Sequence, residues 1–167
     1  PVPQGRYIAA RRHGDLVFTA GMTPRRDGVL VATGPVRTSA PLETYREAVV
    51  LACANALAAA RGVLSAGEQI AAVLSLTVYV AAESDFTAHS GLADFASHHL
   101  HGELGERGIG ARAAVGVATL PGNAPVEVQI VAAVGNRQDR PAIDQGSVCP
   151  PWKTTTSSSP TATAPSV

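Results

Sequence analysis

The run from residue 48 to 60 constrains this chain most, because it is apolar on almost every side of a helix. Tyr45, Val49, Cys53 and Leu57 recur every four residues and form one apolar stripe, which Ala48, Ala52, Ala56 and Ala59 widen. Asn55 is the only polar residue inside the run. A helix of this kind must be covered on several sides. The rest of the chain therefore has to supply a sheet and further helices to enclose it. Ser39 is placed to cap the helix, Pro41 suits its first turn and Glu43 complements the positive end of its dipole. Arg61-Gly62 marks its end.

Around this helix the pattern predicts strands. Residues 7–12 and 16–20 read as two strands joined by a turn at His13-Gly14-Asp15, and residues 29–32 as a short third strand ahead of Gly34-Pro35. In the strand expected over residues 72–80, Leu74, Leu76, Val78 and Val80 share one face, to be covered by helices. Val73, Ser75, Thr77 and Tyr79 share the other. Ser84-Asp85 is expected to cap a second helix running to about Leu104, with Ala88, Leu92, Phe95 and His99 on its buried stripe. Two last strands, residues 112–119 and 125–134, are joined by Leu120-Pro121-Gly122-Asn123. In the final strand Val126, Val128, Ile130, Ala132 and Val134 form one face, and Glu127, Gln129, Val131 and Ala133 the other. The order is β-β-(β)-α-β-α-β-β, an α+β fold with two helices packed on one face of a mixed sheet. The other face still carries Val73, Tyr79 and Val131, and self-association is the simplest way to cover it.

Composition narrows the function. Of 167 residues, 46% are hydrophobic and 16% charged, enough for a buried core. Formal net charge is zero, which argues against a nucleic-acid binder, and Arg11-Arg12 and Arg25-Arg26 read as solvated surface. Cys53 behaves as a small hydrophobe, and Cys149 lies in a Pro-rich stretch; neither points to a disulfide framework or a metal site. No signal peptide is recognised and no apolar run reaches the ~20 residues that span a bilayer, so a cytoplasmic location is expected. Residues 136–167, which include Trp152, are rich in Pro, Ser and Thr. They are expected to be a disordered tail beside a domain of residues 1–135.

Among residues that could carry chemistry, Arg112 stands out. Its same-parity neighbours Ala114, Gly116 and Ala118 are small, leaving room for a ligand and offering no obvious local carboxylate. A guanidinium is planar and permanently charged, and its fork matches a carboxylate. On spacing alone, a structural salt bridge is the stronger reading, with Glu127 on the expected adjoining strand as a candidate partner. His98, His99 and His101, with His89 earlier on the same helix, lack a third ligand spaced to join them in holding a metal. Residues 105–110 are glycine-rich but do not follow a strand and open a helix, which speaks against a dinucleotide site.

The stretch from Ala111-Arg112 through Leu120-Pro121 to Val126-Glu127 resembles the Rid/YjgF family of reactive-intermediate deaminases. Phe18-Thr19-Ala20-Gly21, Val78-Tyr79-Val80 and Asp85-Phe86 carry the resemblance further, over roughly residues 5–135. With Gly105 and Gly108, the combination is most similar to a less characterised branch. The resemblance implies a chorismate-mutase-like fold and a homotrimer with three clefts between subunits. It implies hydrolysis of small carboxylate-bearing enamines or imines to keto acids and ammonia, with no metal or organic cofactor. By position, Arg112 would grip the substrate carboxylate, with the Ala114 backbone N–H assisting, and Glu127 would orient or activate water. Tyr7, Ala20, Gly21 and Ser90 would line the cleft. Better-known members carry serine at the position of Ala20 and asparagine at that of Ser90, so a larger or more apolar ligand is expected here. A non-catalytic, carboxylate-binding regulatory trimer is the alternative. Ribonuclease activity, assigned to some relatives, is opposed by the zero net charge.

Overall fold

The chain begins with a hairpin. The structure, a computed structural model, describes residues 5–136; the expected tail, with Cys149 and Trp152, lies outside them. Strands β1 (Ala10–His13) and β2 (Leu16–Thr19) pair antiparallel, with His13 opposite Leu16 across the two residues Gly14 and Asp15. Gly14 has φ of 57°, a left-handed conformation that glycine adopts without steric cost. The expected third strand is shorter: β3 (Arg25–Arg26) and β4 (Val29–Leu30) form a separate two-stranded ribbon.

Helix α1 (Arg46–Arg61) follows a short 3-10 turn, Leu42–Tyr45. Ser39 makes no cap. Pro41 leads the 3-10 turn instead, and Glu43 in that turn pairs with Arg46. Ala48, Val49, Ala52, Cys53, Ala56, Leu57, Ala59 and Ala60 are buried, whereas Val50, Leu51 and Ala54 are half-buried and Ala58 is exposed, so the apolar run is covered on most but not all of its sides. Removing Val49 and Leu57 from water contributes about 1.5–3 kcal/mol each. Alanines let α1 approach the sheet closely. Asn55, the polar exception, donates from Nδ2 to the carbonyls of Arg25 (2.9 Å) and Thr23 (3.3 Å), tying the β3 segment to the helix. Cys53 Sγ donates to the Ala96 carbonyl at 3.6 Å, and burial pushes its thiol up to about 12, so it is a packing group.

The long strand β5 (Glu68–Ala81) carries the main departure from simple alternation. Its pairing with β7 (Val126–Asn136) shifts register between Ile70 and Ala72 and again between Val73 and Ser75. Each shift inserts a residue and swaps faces. Val73 is consequently buried with Leu76, Val78 and Val80, whereas Leu74 is 43% exposed. The assignments of Val73 to the open face and Leu74 to the helix face are both corrected by these bulges.

Helix α2 (His89–Leu104) starts later than expected. The Asp85 carboxylate accepts from the Thr38 hydroxyl (2.7 Å) and Glu83 accepts from the Thr38 N–H (2.8 Å), so this segment anchors the preceding loop and caps nothing. The buried stripe is Leu92, Ala93, Ala96, Leu100 and Leu104; Phe95 and His99 are only half-buried and Ala88 is exposed. Phe95 instead offers its ring to the Arg46 guanidinium, 4.3 Å away. Edge strand β6 (Ala111–Val117) then pairs parallel with β5. The five-stranded order is β1-β2-β7-β5-β6, mixed, with α1 and α2 against each other and the core between helices and sheet. No helix among the described residues is long and apolar enough to cross a membrane.

Candidate functional site

Arg112 does not face Glu127. Strand β5 lies between β6 and β7, so their strands do not adjoin. Arg112 stands in register with Leu76 and Ile130, on the helix-covered face; Glu127 stands in register with Tyr79, on the open face. The two residues are about 10 Å apart along the strands and about 10 Å across them, on opposite sides of the sheet. An ion pair within one chain is excluded.

The partner of Arg112 comes from α2. Its Nη1 donates to Asp94 Oδ1 at 2.6 Å and to Ser97 Oγ at 2.9 Å, a carboxylate that spacing along the strand did not disclose. Asp94 and Ser97 are three apart, with Ser90 four residues earlier, so the three share one helical stripe. That polar stripe, on a helix otherwise filled by Leu92, Ala93, Ala96 and Leu100, was the readable signal. Nε and Nη2 of Arg112 engage no group among the described residues. Ala114 and Gly116 continue the same strand face. At Gly116 an added Cβ would lie 2.6 Å from His89 Nε2, so His89 covers this end of the strand, its ring edge-on to Phe86 with centroids 5.0 Å apart. Thus Arg112 and Ala114, with Ser90 on the facing helix, mark one half of the expected site.

The remaining residues of the expected site lie where β2 leaves β7. Phe18 pairs with Val131, then Met22 rejoins opposite Val128, so three residues on one strand span two on the other. Side chains bridge the gap: Thr19 Oγ1 accepts from the Ile130 N–H at 3.0 Å, and Gln129 donates to the Thr19 carbonyl at 3.1 Å. Gly21 sits in this bulge directly against Glu127. A Cβ there would fall 1.9 Å from Glu127 Oε1 and 2.5 Å from its Cδ. Glu127 is half-buried and makes no hydrogen bond or ion pair among the described residues. Burial raises its carboxyl above the usual range, as desolvation disfavours the charged form. Ala20 is half-buried beside Gly21. Tyr7 precedes β1 and is 50% exposed.

Neither half is closed. A cavity of about 550 Å³ lies elsewhere, lined by Arg61, Leu64, Glu68, Glu103, Leu104 and Arg107. Of its charges, Arg61 pairs with Glu103 (2.9 Å) and Glu68 with Arg12 (2.5 Å), while Arg107 donates to the backbone carbonyls of Leu104 and Ile70. Among the described residues no three His, Cys, Asp or Glu side chains converge as a metal cage; His98 and His101 are exposed, and His101 lies 3.3 Å from Glu106.

Similarity to known proteins agrees with this architecture. Protein TCP17 of Trypanosoma cruzi is 31% identical over 136 residues, covering 80% of this chain and 84% of that protein. The crystal structure of Atu1372 from Agrobacterium tumefaciens, a protein of unknown function, matches with a TM-score of 0.70 at 32% identity, over 80% of this chain and 86% of that one. Escherichia coli TdcF, solved with bound serine, shares the fold with a TM-score of 0.58 at 22% identity, over 80% of this chain and 92% of that one. Since the family model described as Endoribonuclease L-PSP matches residues 1–134, the chain belongs to that family, the Rid/YjgF family.

Proposed function

We propose that this protein hydrolyses small carboxylate-bearing imines or enamines to keto acids and ammonia, at sites shared between copies of the chain in a homotrimer. The observation that carries the reading is the state of Arg112. Asp94 and Ser97 fix Nη1, and the remaining N–H groups of the guanidinium are left to take a carboxylate in two parallel hydrogen bonds. Held this way, an α-imino acid presents its electrophilic carbon in a defined place. Water adds to the carbon of the protonated C=N bond, a proton passes to nitrogen, and the C–N bond breaks to leave the keto acid and ammonium. An enamine first takes a proton at its β-carbon to become the imine. Glu127 suits the proton transfers. Its half-buried carboxyl has no partner among the described residues and its proton affinity is raised by desolvation, bringing it nearer the pH of use. Because Arg112 and Glu127 lie on opposite faces, one copy supplies the clamp and its neighbour the proton handler.

The family's name carries RNA cleavage, and the charge distribution weighs against that activity here. Net charge is zero, and Arg12, Arg26, Arg46 and Arg61 are each paired with a glutamate, which reduces the free positive charge that could displace phosphate counterions. A second reading, carboxylate binding without turnover, is favoured by Ala20, which places no polar group beside Gly21 and Glu127. The test is to generate 2-aminoacrylate in situ and follow keto-acid release. Release is expected to accelerate with the wild type and to fall to the unaided rate with Arg112→Ala. Equal release with and without the wild-type protein sinks the hydrolase reading. Specific binding of a keto acid, lost in Arg112→Ala, would then favour the binding protein.

A further inference from the structure

We infer that Asp94 is a positioning and specificity-determining residue that makes the Arg112 clamp select a carboxylate bearing an adjacent protonated nitrogen. The inference rests on the reading of Arg112 as a carboxylate clamp and adds what that clamp discriminates. Three observations carry it. First, Asp94 uses a single oxygen, Oδ1, to hold Arg112 Nη1 at 2.6 Å, and no donor among the described residues reaches Oδ2. Second, the Asp94 side chain is 38% exposed whereas Arg112 is 21% exposed, so the carboxylate stands at the more open side of the pair. Third, Ser97 Oγ also accepts from Nη1, at 2.9 Å, so the guanidinium keeps a fixed orientation even where Asp94 turns partly toward a ligand.

Electrostatics follow directly. Arg112 and Asp94 together carry no net charge, so the site offers directional donors beside an equally close negative charge. A simple carboxylate gains the donors but meets the repulsion of Asp94. A second negative group on the ligand meets more of it. An α-amino or α-iminio acid gains on both counts, with its carboxylate on the free Arg112 N–H groups and its N⁺–H toward Oδ2. Ser90, on the same helical stripe one turn earlier, is exposed and extends the polar wall. A salt bridge that served only to brace α2 against β6 would not discriminate between ligands.

L-Serine and glycerate make a near-isosteric pair of probes, differing in an ammonium against a hydroxyl beside the carboxylate. Calorimetric titration of the full chain is expected to give serine an advantage of about tenfold or more. Asp94→Asn, which keeps shape and removes charge, is expected to bring that ratio close to one without weakening glycerate. Ser97→Ala, which touches orientation and leaves charge intact, is expected to weaken both probes while preserving the ratio. Should Asp94→Asn fail to fold, Asp94→Glu displaces the free oxygen by one methylene and must likewise reduce the ratio. An unchanged ratio in the folded Asp94 variant, or an equal loss for both probes, overturns the inference and leaves a structural brace. Arg112→Ala separates the underlying reading: wild-type affinity for both probes in that variant overturns the clamp itself.

Discussion

Glu127 and Gly21 are held together by a steric condition. The carboxylate occupies the space that any side chain at residue 21 would need, with a hypothetical Cβ 1.9 Å from Oε1. The obstructing atoms are the far end of a flexible side chain, and the φ of Gly21 lies outside the left-handed region. Gly21→Ala should therefore be absorbed by Glu127 swinging outward into water. Alanine also restricts the unfolded chain, which gives back about 0.4–1 kcal/mol. The net change in stability should stay within about 1 kcal/mol, while turnover of the imine should fall at least about tenfold through misplacement of the carboxylate. Thermal melts and rate measurements on the same preparation check this. Full activity in a stable Gly21→Ala protein would show that the place of Glu127 is immaterial. Sequence was a better guide to the identity of these residues than to their partners. Arg112 stood out by its small neighbours, which suggested no local carboxylate. Its pairing with Asp94 was not readable, because Asp94 lies 18 residues earlier on a different element, and only the packing of α2 over β6 brings the two together.

At the scale of elements, patterns with a constant period were readable and interrupted ones were not. The α1 stripe through Val49, Cys53 and Leu57 and the β7 face from Val126 to Val134 each hold one period, and these residues are buried. Strand β5 changes phase at its bulges, so a single alternation misassigned Val73 and Leu74. Likewise Ser39 and Asp85 have the chemistry of helix caps, but a 3-10 turn precedes α1 and Thr38 engages Asp85. The glycines between α2 and β6 also acquire a reason. At Gly108 a Cβ would lie 2.2 Å from the Leu100 carbonyl oxygen and 2.5 Å from its carbon, both backbone atoms of the helix end. Those atoms cannot rotate away. Gly108→Ala should cost at least about 1–3 kcal/mol by forcing the connection off α2. It should also shift β6, which carries Arg112. Urea denaturation reads the first effect as a lower midpoint with an unchanged slope. A wild-type midpoint would show that this close approach is not needed.

For the molecule as a whole, the sheet keeps one face under the helices and leaves the other with Phe18 41% and Val115 38% exposed beside Tyr79, Val131 and Glu127. That uncovered face was legible in outline from β7 and from Tyr79. The separation of Arg112 from Glu127 was not, since the two residues read as neighbours until β5 is placed between their strands. In the proposed trimer, each cleft takes Arg112 from one copy and Glu127 from the next, which makes complementation a direct test. Arg112→Ala and Glu127→Gln are each expected to be inactive when pure. When the two are denatured together in equal amounts and refolded, random cyclic assembly pairs an intact Arg112 with an intact Glu127 at about one quarter of the interfaces. Activity should return to about that fraction of wild type, whereas mixing the two without subunit exchange should return none. A refolded mixture that stays inactive, with a native mass confirming that hybrids formed, would place both residues' work within single chains or show that one of them takes no part. Because a single chain holds the pair on opposite faces, recovery of activity would tie catalysis to assembly. Dilution below the dissociation constant of the trimer should then abolish turnover while the fold of each chain persists.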